Sequence, residues 1–282
     1  MVAGAWSAGM AEPAFWRARE PTLHIEALPA AQPRMAAGAA LERLMNVGYF
    51  RADGLIAPAQ ARVLAGVVRR LRRAGWPLEL AWVYDELWQL AGWARAPLAA
   101  ALGDDCQHLA LAMFWVDADR ETTGWAPHRD RRGSLLADGR LRSLTAWLAL
   151  TEATPDNGCV YVLPAHLDPA YRSGDQSDEV VLSTLQDVRA LPARPGTLLM
   201  WTHELLHWGG RSSGRARGPR ISMGIEFVRA ATPYPAAMGV GLPGVPPFRE
   251  RLRVIADSIL RYQRMRTTPP GWLEVADAIQ KL

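Results

Sequence analysis

Short apolar segments separated by turn residues dominate the middle of the sequence, from Leu109 to Val228. The turns between them contain Gly, Pro or Asn, as in Pro155–Gly158 and Pro195–Gly196. This pattern is typical of strands joined by tight turns. The predicted strands are Leu109–Asp117, Ser143–Leu150, Cys159–Leu163, Val188–Leu191, Thr197–Trp201 and Ile221–Val228. Many short strands with few helices between them predict a mainly β protein, built as a β-sandwich or jelly roll.

Helical patterns flank this β-rich region. The clearest begins after Pro58, whose fixed backbone angle suits a first turn, and it places Leu64, Val68 and Leu71 on one face before Gly75. The other predicted helices are Ala36–Val47, Ala81–Gly92 and Pro247–Arg266, and Tyr49–Ala52 is predicted as a short strand. Residues 1–34 are rich in Ala, Gly and Pro without periodicity, which predicts a loose or capping arm. We expect residues 35–282 to form a single domain with flanking N- and C-terminal helices.

Composition narrows the class of protein. The net charge of +4 comes almost entirely from arginine, since Lys281 is the only lysine, and the run Arg69–Arg73 continues a helical pattern. We therefore expect a solvated helix face and no nucleic-acid partner. No apolar run is long enough to cross a bilayer and no signal-peptide pattern begins the chain, which predicts a cytoplasmic protein without a membrane partner. The two cysteines, Cys106 and Cys159, are too few for a disulfide framework.

Two histidines and an aspartate are the strongest candidates for a metal site. On a strand, side chains two residues apart point to the same face, so His128 and Asp130 project together while Arg129 points away. His207 follows the predicted strand Thr197–Trp201. Two imidazoles and one carboxylate on a β-rich framework are the ligands of non-haem Fe(II) oxygenases, because they leave open positions for O₂ and a co-substrate.

Several stretches of the sequence resemble the phytanoyl-CoA dioxygenase family. Ser143–His166 is similar to the family's tryptophan strand, Asn-Gly turn and following apolar strand. Pro195–Gly210, followed by Arg220–Phe227, resembles the family's strand with the distal histidine and its co-substrate arginine. Leu41–Leu71 looks like the opening helix, strand and helix. The resemblance covers roughly residues 40 to 230, with the motifs in the family's order.

The resemblance implies a double-stranded β-helix, a cupin-like jelly roll, that binds Fe(II) through His128, Asp130 and His207. The implied enzyme is a Fe(II)- and 2-oxoglutarate-dependent dioxygenase. It uses O₂ to hydroxylate an unactivated C–H bond of a small organic molecule and releases succinate and CO₂. Tryptophans near the presumed mouth are candidates for its pocket wall: Trp115, Trp125, Trp201 and Trp208. The oligomeric state is left open.

The resemblance also implies that an arginine holds the distal carboxylate of 2-oxoglutarate. A guanidinium suits this role because it donates two parallel charge-assisted hydrogen bonds. We choose Arg220, which opens an alternating strand and would point inward together with Ser222, and Trp147 matches a family tryptophan beside the co-substrate. The interval from His207 to Arg220 is slightly longer than is usual in the family, so Arg217 is the second choice. The remaining competitors are Arg211 and Arg215.

Two alternative functions remain open on the sequence. His203-Glu204-Leu205-Leu206-His207 fits the zinc-peptidase pattern His-Glu-x-x-His, in which the histidines bind zinc from one helical turn and the glutamate activates water. That interpretation needs a helix, whereas Thr197–Trp201 is predicted as a strand and Gly209–Gly210 would end any helix at once. The second alternative is a catalytically inactive binding module on the oxygenase fold.

Overall fold

The computed structural model describes residues 6–118, 124–131, 133–171, 182–230, 245–264 and 268–281. The α-helices are α1 (Pro13–Arg19), α2 (Gly38–Val47), α3 (Pro58–Arg73), α4 (Asp85–Trp93), α5 (Arg95–Leu102), α6 (Phe248–Arg261) and α7 (Trp272–Gln280). The strands are β1 (Tyr49–Ala52), β2 (Gln107–Val116), β3 (Ser143–Ala149), β4 (Val160–Val162), β5 (Arg189–Leu191), β6 (Leu198–Thr202), β7 (His207–Gly209) and β8 (Arg220–Val228). Short 3-10 helices lie at Ala8–Ala11, Leu78–Val83 and Leu182–Asp187. Within these ranges no helix has both the length and the apolar character needed to cross a membrane.

Two antiparallel sheets organise the chain. The larger has the strand order β1-β6-β3-β8-β2, and the smaller has the order β5-β4-β7. In the larger sheet, Ala112, Gly224 and Trp147 are aligned across β2, β8 and β3. An isolated bridge pairs His128 with His207 of β7, which adds residue 128 to the edge of the smaller sheet. This pairing places His128 and His207 next to each other at that edge.

The predicted strands are confirmed in place, but the prediction of a mainly β protein is not. Strand β1 has its predicted bounds and the other predicted strands overlap β2 to β6 and β8, whereas β7 was not predicted. More of the described residues lie in α-helices than in strands. Helices α1, α5 and α7 are too short to give a clear periodic pattern. The predicted helix Pro247–Arg266 ends at Arg261 as α6, and its last two residues lie outside the described ranges.

The Asn157-Gly158 turn joins the larger sheet to the smaller one. Asn157 holds its shape, since its side-chain Oδ1 accepts from the Thr154 amide and its Nδ2 donates to the Glu152 carbonyl. Gly158 has a φ of +77°, and a Cβ there would lie 2.4 Å from the carbonyl oxygen of Gly210. Only glycine fits both the left-handed backbone and this close approach. The turn thus fixes where β4 meets the end of β7.

Residues 6–34 of the N-terminal segment are packed rather than loose. Met10, Trp16 and Ile25 are buried in the same hydrophobic cluster as helices α3 to α6. The indole Nε1 of Trp16 donates to the Met10 carbonyl, and the Tyr84 hydroxyl donates to the Trp16 carbonyl. Sequence periodicity did not reveal this packing because the segment is anchored by single large side chains rather than by a repeating apolar face.

A buried ion pair between α4 and α6 also holds this segment. Arg251 of α6 lies 2.6 Å from Asp85, and both side chains are almost fully buried. Asp85 also accepts the backbone N–H groups of Glu26, Ala27 and Leu28, each at 2.8 Å. Burial alone would raise the pKa of Asp85, but these N–H groups and the Arg251 guanidinium lower it below 3.8. The ionised carboxylate is therefore the form that stabilises the fold.

Asp85→Asn is expected to lower the free energy of unfolding at neutral pH by about 2 kcal/mol, because charge-assisted hydrogen bonds are lost. A folded-state pKa below the unfolded value gives stability that is present at neutral pH and lost on acidification through the folded-state pKa. The variant should therefore lose less stability than the parent as the pH falls below about 4, in urea unfolding. Asp277→Asn, at an exposed pair with Lys281, is the matched control. An acid dependence equal to the parent's would refute this role of Asp85.

Candidate active site

A cavity lined by residues of both sheets holds most of the expected site residues. The expected residues that line it are His128, Asp130, Trp147, His207 and Arg220. Ser222 lies on the same face of β8 as Arg220 but is not part of the cavity wall. The structure thus brings together all but one of them.

His128, Asp130 and His207 form a compact group of possible metal ligands. One nitrogen from each histidine and one oxygen from Asp130 all lie within 4.8 Å of one another. The Nε2 atoms of His128 and His207 each lie 3.4 Å from Asp130 Oδ1. Residues 128–130 are not a regular strand as expected, but backbone hydrogen bonds of 3.0 Å in both directions pair His128 with His207. Arg129 points away from the group, toward Asp168 at 2.8 Å.

Hydrogen bonds orient each member of this group. The Nδ1 atoms of His128 and His207 lie 2.7 and 3.0 Å from the backbone carbonyls of Ala126 and Leu205. A carbonyl only accepts, so Nδ1 carries the proton and Nε2 keeps its lone pair for a metal. This arrangement fixes both the tautomer and the direction of each ring.

Asp130 is held in a similar way. Its Oδ2 accepts from the Thr145 hydroxyl at 2.7 Å and from the Trp201 indole N–H at 2.9 Å, and Oδ1 faces the two histidines. Burial alone would raise the pKa of Asp130, but the neighbouring His207 and His128 rings lower it well below 3.8. An ionised carboxylate with one free oxygen, beside two imidazole nitrogens, matches the donor set for non-haem Fe(II).

Arg220 is a buried cation on the cavity wall. Only 4% of the residue is exposed, and its Nε has no hydrogen-bond partner among the described residues. Burial lowers its pKa to about 10, which leaves the guanidinium charged at neutral pH. The guanidinium carbon lies 5.9 Å from the centre of the Trp147 ring. A buried charge without a partner is costly, so this position calls for an anion.

The competing arginines lie elsewhere. Arg211, Arg215 and Arg217 are all exposed, and Arg215 pairs with Asp156. None of the three lines the cavity. Alternation along β8 explains the difference, because Arg220 is the first strand residue and faces inward, whereas the others lie in the preceding loop.

Some cavity residues were not predicted. Thr145 lies two residues before Trp147 on one face of β3, so strand alternation could have identified it. Glu226 and Tyr262 also line the cavity, and the Tyr262 hydroxyl donates to Glu226 Oε1 at 2.8 Å. No sequence pattern connects the end of α6 with β8. Of the tryptophans expected at the mouth, Trp125, Trp201 and Trp208 line the cavity and Trp115 does not.

The geometry disfavours the zinc-peptidase pattern. Residues 203–206 form a turn rather than a helix, so His203 and His207 do not share a helix face. His203 is fully buried and its Nε2 lies 3.0 Å from the Thr145 hydroxyl. The carboxylate of Glu204 accepts the backbone N–H of Ser134 at 2.8 Å, and Glu204 does not line the cavity. The glutamate is therefore not placed to activate a water beside His207.

Comparison with solved structures identifies the fold. SnoK, a non-haem α-ketoglutarate-dependent carbocyclase from nogalamycin biosynthesis, superposes with a TM-score of 0.54 at 17% identity, over 72% of this chain and 88% of SnoK. HygX from Streptomyces hygroscopicus, crystallised with nickel and 2-oxoglutarate, gives 0.55 at 15% identity, over 71% and 89%. AviO1 from Streptomyces viridochromogenes Tue57 gives 0.52 at 21% identity, over 70% and 97%. The chain shares the fold of these proteins.

Comparison of the sequence with known proteins identifies the family. A comparison with curated proteins found no significant match. The family model of phytanoyl-CoA dioxygenase matches residues 80–218, a range that contains His128, Asp130 and His207. The match agrees with the motifs seen in the sequence and with the fold of the similar structures. Residues 80–218 of this chain therefore form a domain of the phytanoyl-CoA dioxygenase family of Fe(II)- and 2-oxoglutarate-dependent oxygenases.

Proposed function

We propose that this protein is a Fe(II)- and 2-oxoglutarate-dependent dioxygenase that hydroxylates an unactivated C–H bond of a small organic molecule. One observation carries the proposal: three convergent metal-ligand atoms and a buried arginine whose Nε lacks a partner among the described residues line the same cavity. The two sheets are then the halves of a double-stranded β-helix. Residues 35–282, which contain every site residue, form its domain.

In this proposal, His128 Nε2, Asp130 Oδ1 and His207 Nε2 hold the iron. When bound, Fe(II) supplies O₂ activation coupled to the decarboxylation of 2-oxoglutarate to succinate and CO₂. The protein's own contribution is to orient the ligands through the Ala126 and Leu205 carbonyls. These hydrogen bonds keep each Nε2 unprotonated and directed at one point.

Arg220 binds the distal carboxylate of 2-oxoglutarate in this proposal. Its guanidinium is buried, charged and available on the cavity wall. The Trp147 ring lies beside this guanidinium. Ser222 lies on the same face of β8 as Arg220, and its hydroxyl has no partner among the described residues. Binding of the carboxylate would neutralise a buried charge, so the co-substrate gains more here than at an exposed arginine.

Turnover under ¹⁸O₂ tests the proposal. Protein supplied with Fe(II), 2-oxoglutarate, a candidate C–H substrate and ¹⁸O₂ should form succinate carrying one labelled oxygen atom, with the second atom in the hydroxylated product. Because SnoK is a carbocyclase, product mass is decisive: hydroxylation adds one oxygen, whereas ring closure removes two hydrogens. Absence of iron-dependent succinate under all these conditions would overturn the proposal.

The same assay separates the two alternative functions. A zinc hydrolase would cleave peptides with zinc and consume no 2-oxoglutarate, and Glu204→Gln would inactivate it. In an oxygenase Glu204→Gln should leave most succinate formation intact, because the Glu204 carboxylate accepts from Ser134 outside the cavity. An inactive binding module would bind 2-oxoglutarate without forming succinate.

Thr145→Val is expected to weaken metal binding by about 10- to 100-fold, because it removes one of the two hydrogen bonds that hold Asp130 Oδ2. The affinity is measured by competition between the protein and a chelator for Fe(II) without oxygen. Thr145→Ser keeps the hydroxyl and should restore most of the affinity. If both variants bind iron as the parent does, Thr145 is only a packing residue.

A further inference from the structure

The cavity has a second wall, formed by β2 at the edge of the larger sheet. Ala110, Ala112 and Phe114 alternate along β2 and all line the cavity. Their register partners on β8 are Glu226, Gly224 and Ser222. This wall lies two strands beyond β3 and three beyond β6, the strands that carry Thr145 and Trp201. It is therefore separate from the residues that hold Asp130.

Aromatic rings border this wall. The Trp125 ring centre lies 5.5 Å from the centres of Phe114, Tyr262 and His128. The small side chains of Ala110 and Ala112 lie among these rings in one apolar cluster, and Gly224 has no side chain at all. The Phe114 ring lies over Gly224, and the small side chains of Ala110 and Ala112 border the part of the cavity next to the metal ligand His128, which we call the recess. A flat ring suits such a recess, because it can stack or make edge contacts with several aromatic faces.

Glu226 is the polar group of this wall, and its charge is balanced. Arg131 donates to its Oε2 at 2.7 and 2.9 Å, and the Tyr262 hydroxyl donates to its Oε1 at 2.8 Å. Burial raises the pKa of Tyr262, so the phenol stays neutral and remains a donor. A carboxylate has about four acceptor positions. Glu226 can therefore accept a further hydrogen bond from a ligand donor, whereas a ligand carboxylate has no proton to donate to it.

We infer, on the basis of the proposed function, that the substrate is an uncharged, flat ring compound that carries a hydroxyl or amine donor. Its ring lies against Trp125, Phe114 and Tyr262 over Ala112, and its donor binds Glu226. Ala112 and Glu226 are then the residues that determine specificity. The two halves of the cavity differ in charge. Arg220 binds the dianionic co-substrate, and the β2 wall binds the neutral ring.

Calorimetric titration without oxygen tests this inference. Protein is first loaded with Fe(II) and 2-oxoglutarate, and each binding step is recorded. It is then titrated with 2-naphthol, with 2-methoxynaphthalene, which lacks the donor, and with anionic 2-naphthoate. We expect 2-naphthol to bind about 10-fold more tightly than 2-methoxynaphthalene, the effect of one hydrogen bond to a charged group. The carboxylate probe should bind most weakly.

Variants locate the binding site of the probes. Ala112→Leu should weaken 2-naphthol binding by at least about 10-fold through loss of the recess, and Ala112→Val serves if the leucine variant does not fold. Ala100→Leu, at an exposed position of α5, is the matched control and should bind 2-naphthol as the parent does. Glu226→Gln should remove most of the preference for 2-naphthol over 2-methoxynaphthalene.

Three results would overturn the inference: 2-naphthoate binding as tightly as 2-naphthol, Ala112 variants with parental affinity, or no naphthalene probe binding to loaded protein. Failure of the proposed function looks different, since 2-oxoglutarate would then not bind in the loading step. The two failures are therefore read from separate titrations of one experiment.

Discussion

Replacing His207 with alanine is expected to lower iron-dependent succinate formation by at least about 1000-fold, because the reaction proceeds only with bound metal. His207 supplies one of the three convergent ligand atoms, and its backbone pairs with His128. Loss of the imidazole leaves two ligands and an open cavity. Succinate release in air, at saturating Fe(II) and 2-oxoglutarate, measures the effect.

His166→Ala is the matched control for this experiment. His166 is exposed and lies outside the cavity, so its loss should leave succinate formation at the parental rate. Circular dichroism and the unfolding midpoint of His207→Ala should stay close to the parent, since the side chain contributes little to the hydrophobic core. Parental turnover by a folded His207→Ala protein would refute the ligand assignment.

Arg220→Met is expected to raise the 2-oxoglutarate concentration needed for half-maximal turnover by about 100- to 1000-fold, through loss of a bidentate charge-assisted pair. The same change removes a buried charge, so the protein without co-substrate should be as stable as the parent or more stable. A substitution that damaged the fold would instead lower stability. Titration of turnover and thermal unfolding, each with and without 2-oxoglutarate, measure both effects.

Arg217→Met is the control for replacing a nearby arginine by methionine. Arg217 is exposed, so this variant should keep the parental requirement for 2-oxoglutarate. The stabilisation that 2-oxoglutarate gives to the parent should persist in Arg217→Met and disappear in Arg220→Met. The opposite pattern would transfer the role of co-substrate anchor to Arg217.

Local patterns in the sequence predicted β8 and the direction of its side chains, but not β7, which carries His207, or the irregular backbone of residues 128–130. Strand alternation correctly placed Arg220 and Ser222 on one face of β8 and separated Arg129 from His128 and Asp130. The strand prediction for Thr197–Trp201 also explains why the His203-Glu204-x-x-His207 sequence is a turn and not a helix. These features depend on neighbouring residues, whose geometry follows directly from strand periodicity.

Such patterns could not predict contacts between distant parts of the chain. Glu226, Arg131 and Tyr262 come from β8, the segment after Asp130 and the end of α6, and only folding brings them to one wall. The packing of Trp16 depends in the same way on Tyr84, which is distant in sequence but belongs to the same hydrophobic cluster. Helices α5 and α7 were missed because short helices are defined by tertiary packing more than by their own periodicity.

The most direct test is anomalous X-ray diffraction at the iron absorption edge, on crystals prepared with Fe(II) and 2-oxoglutarate without oxygen. We predict a single iron peak within bonding distance of His128 Nε2, Asp130 Oδ1 and His207 Nε2, with 2-oxoglutarate between the metal and Arg220. A metal peak held by His203 and His207, or iron bound away from Asp130, would contradict the assignment.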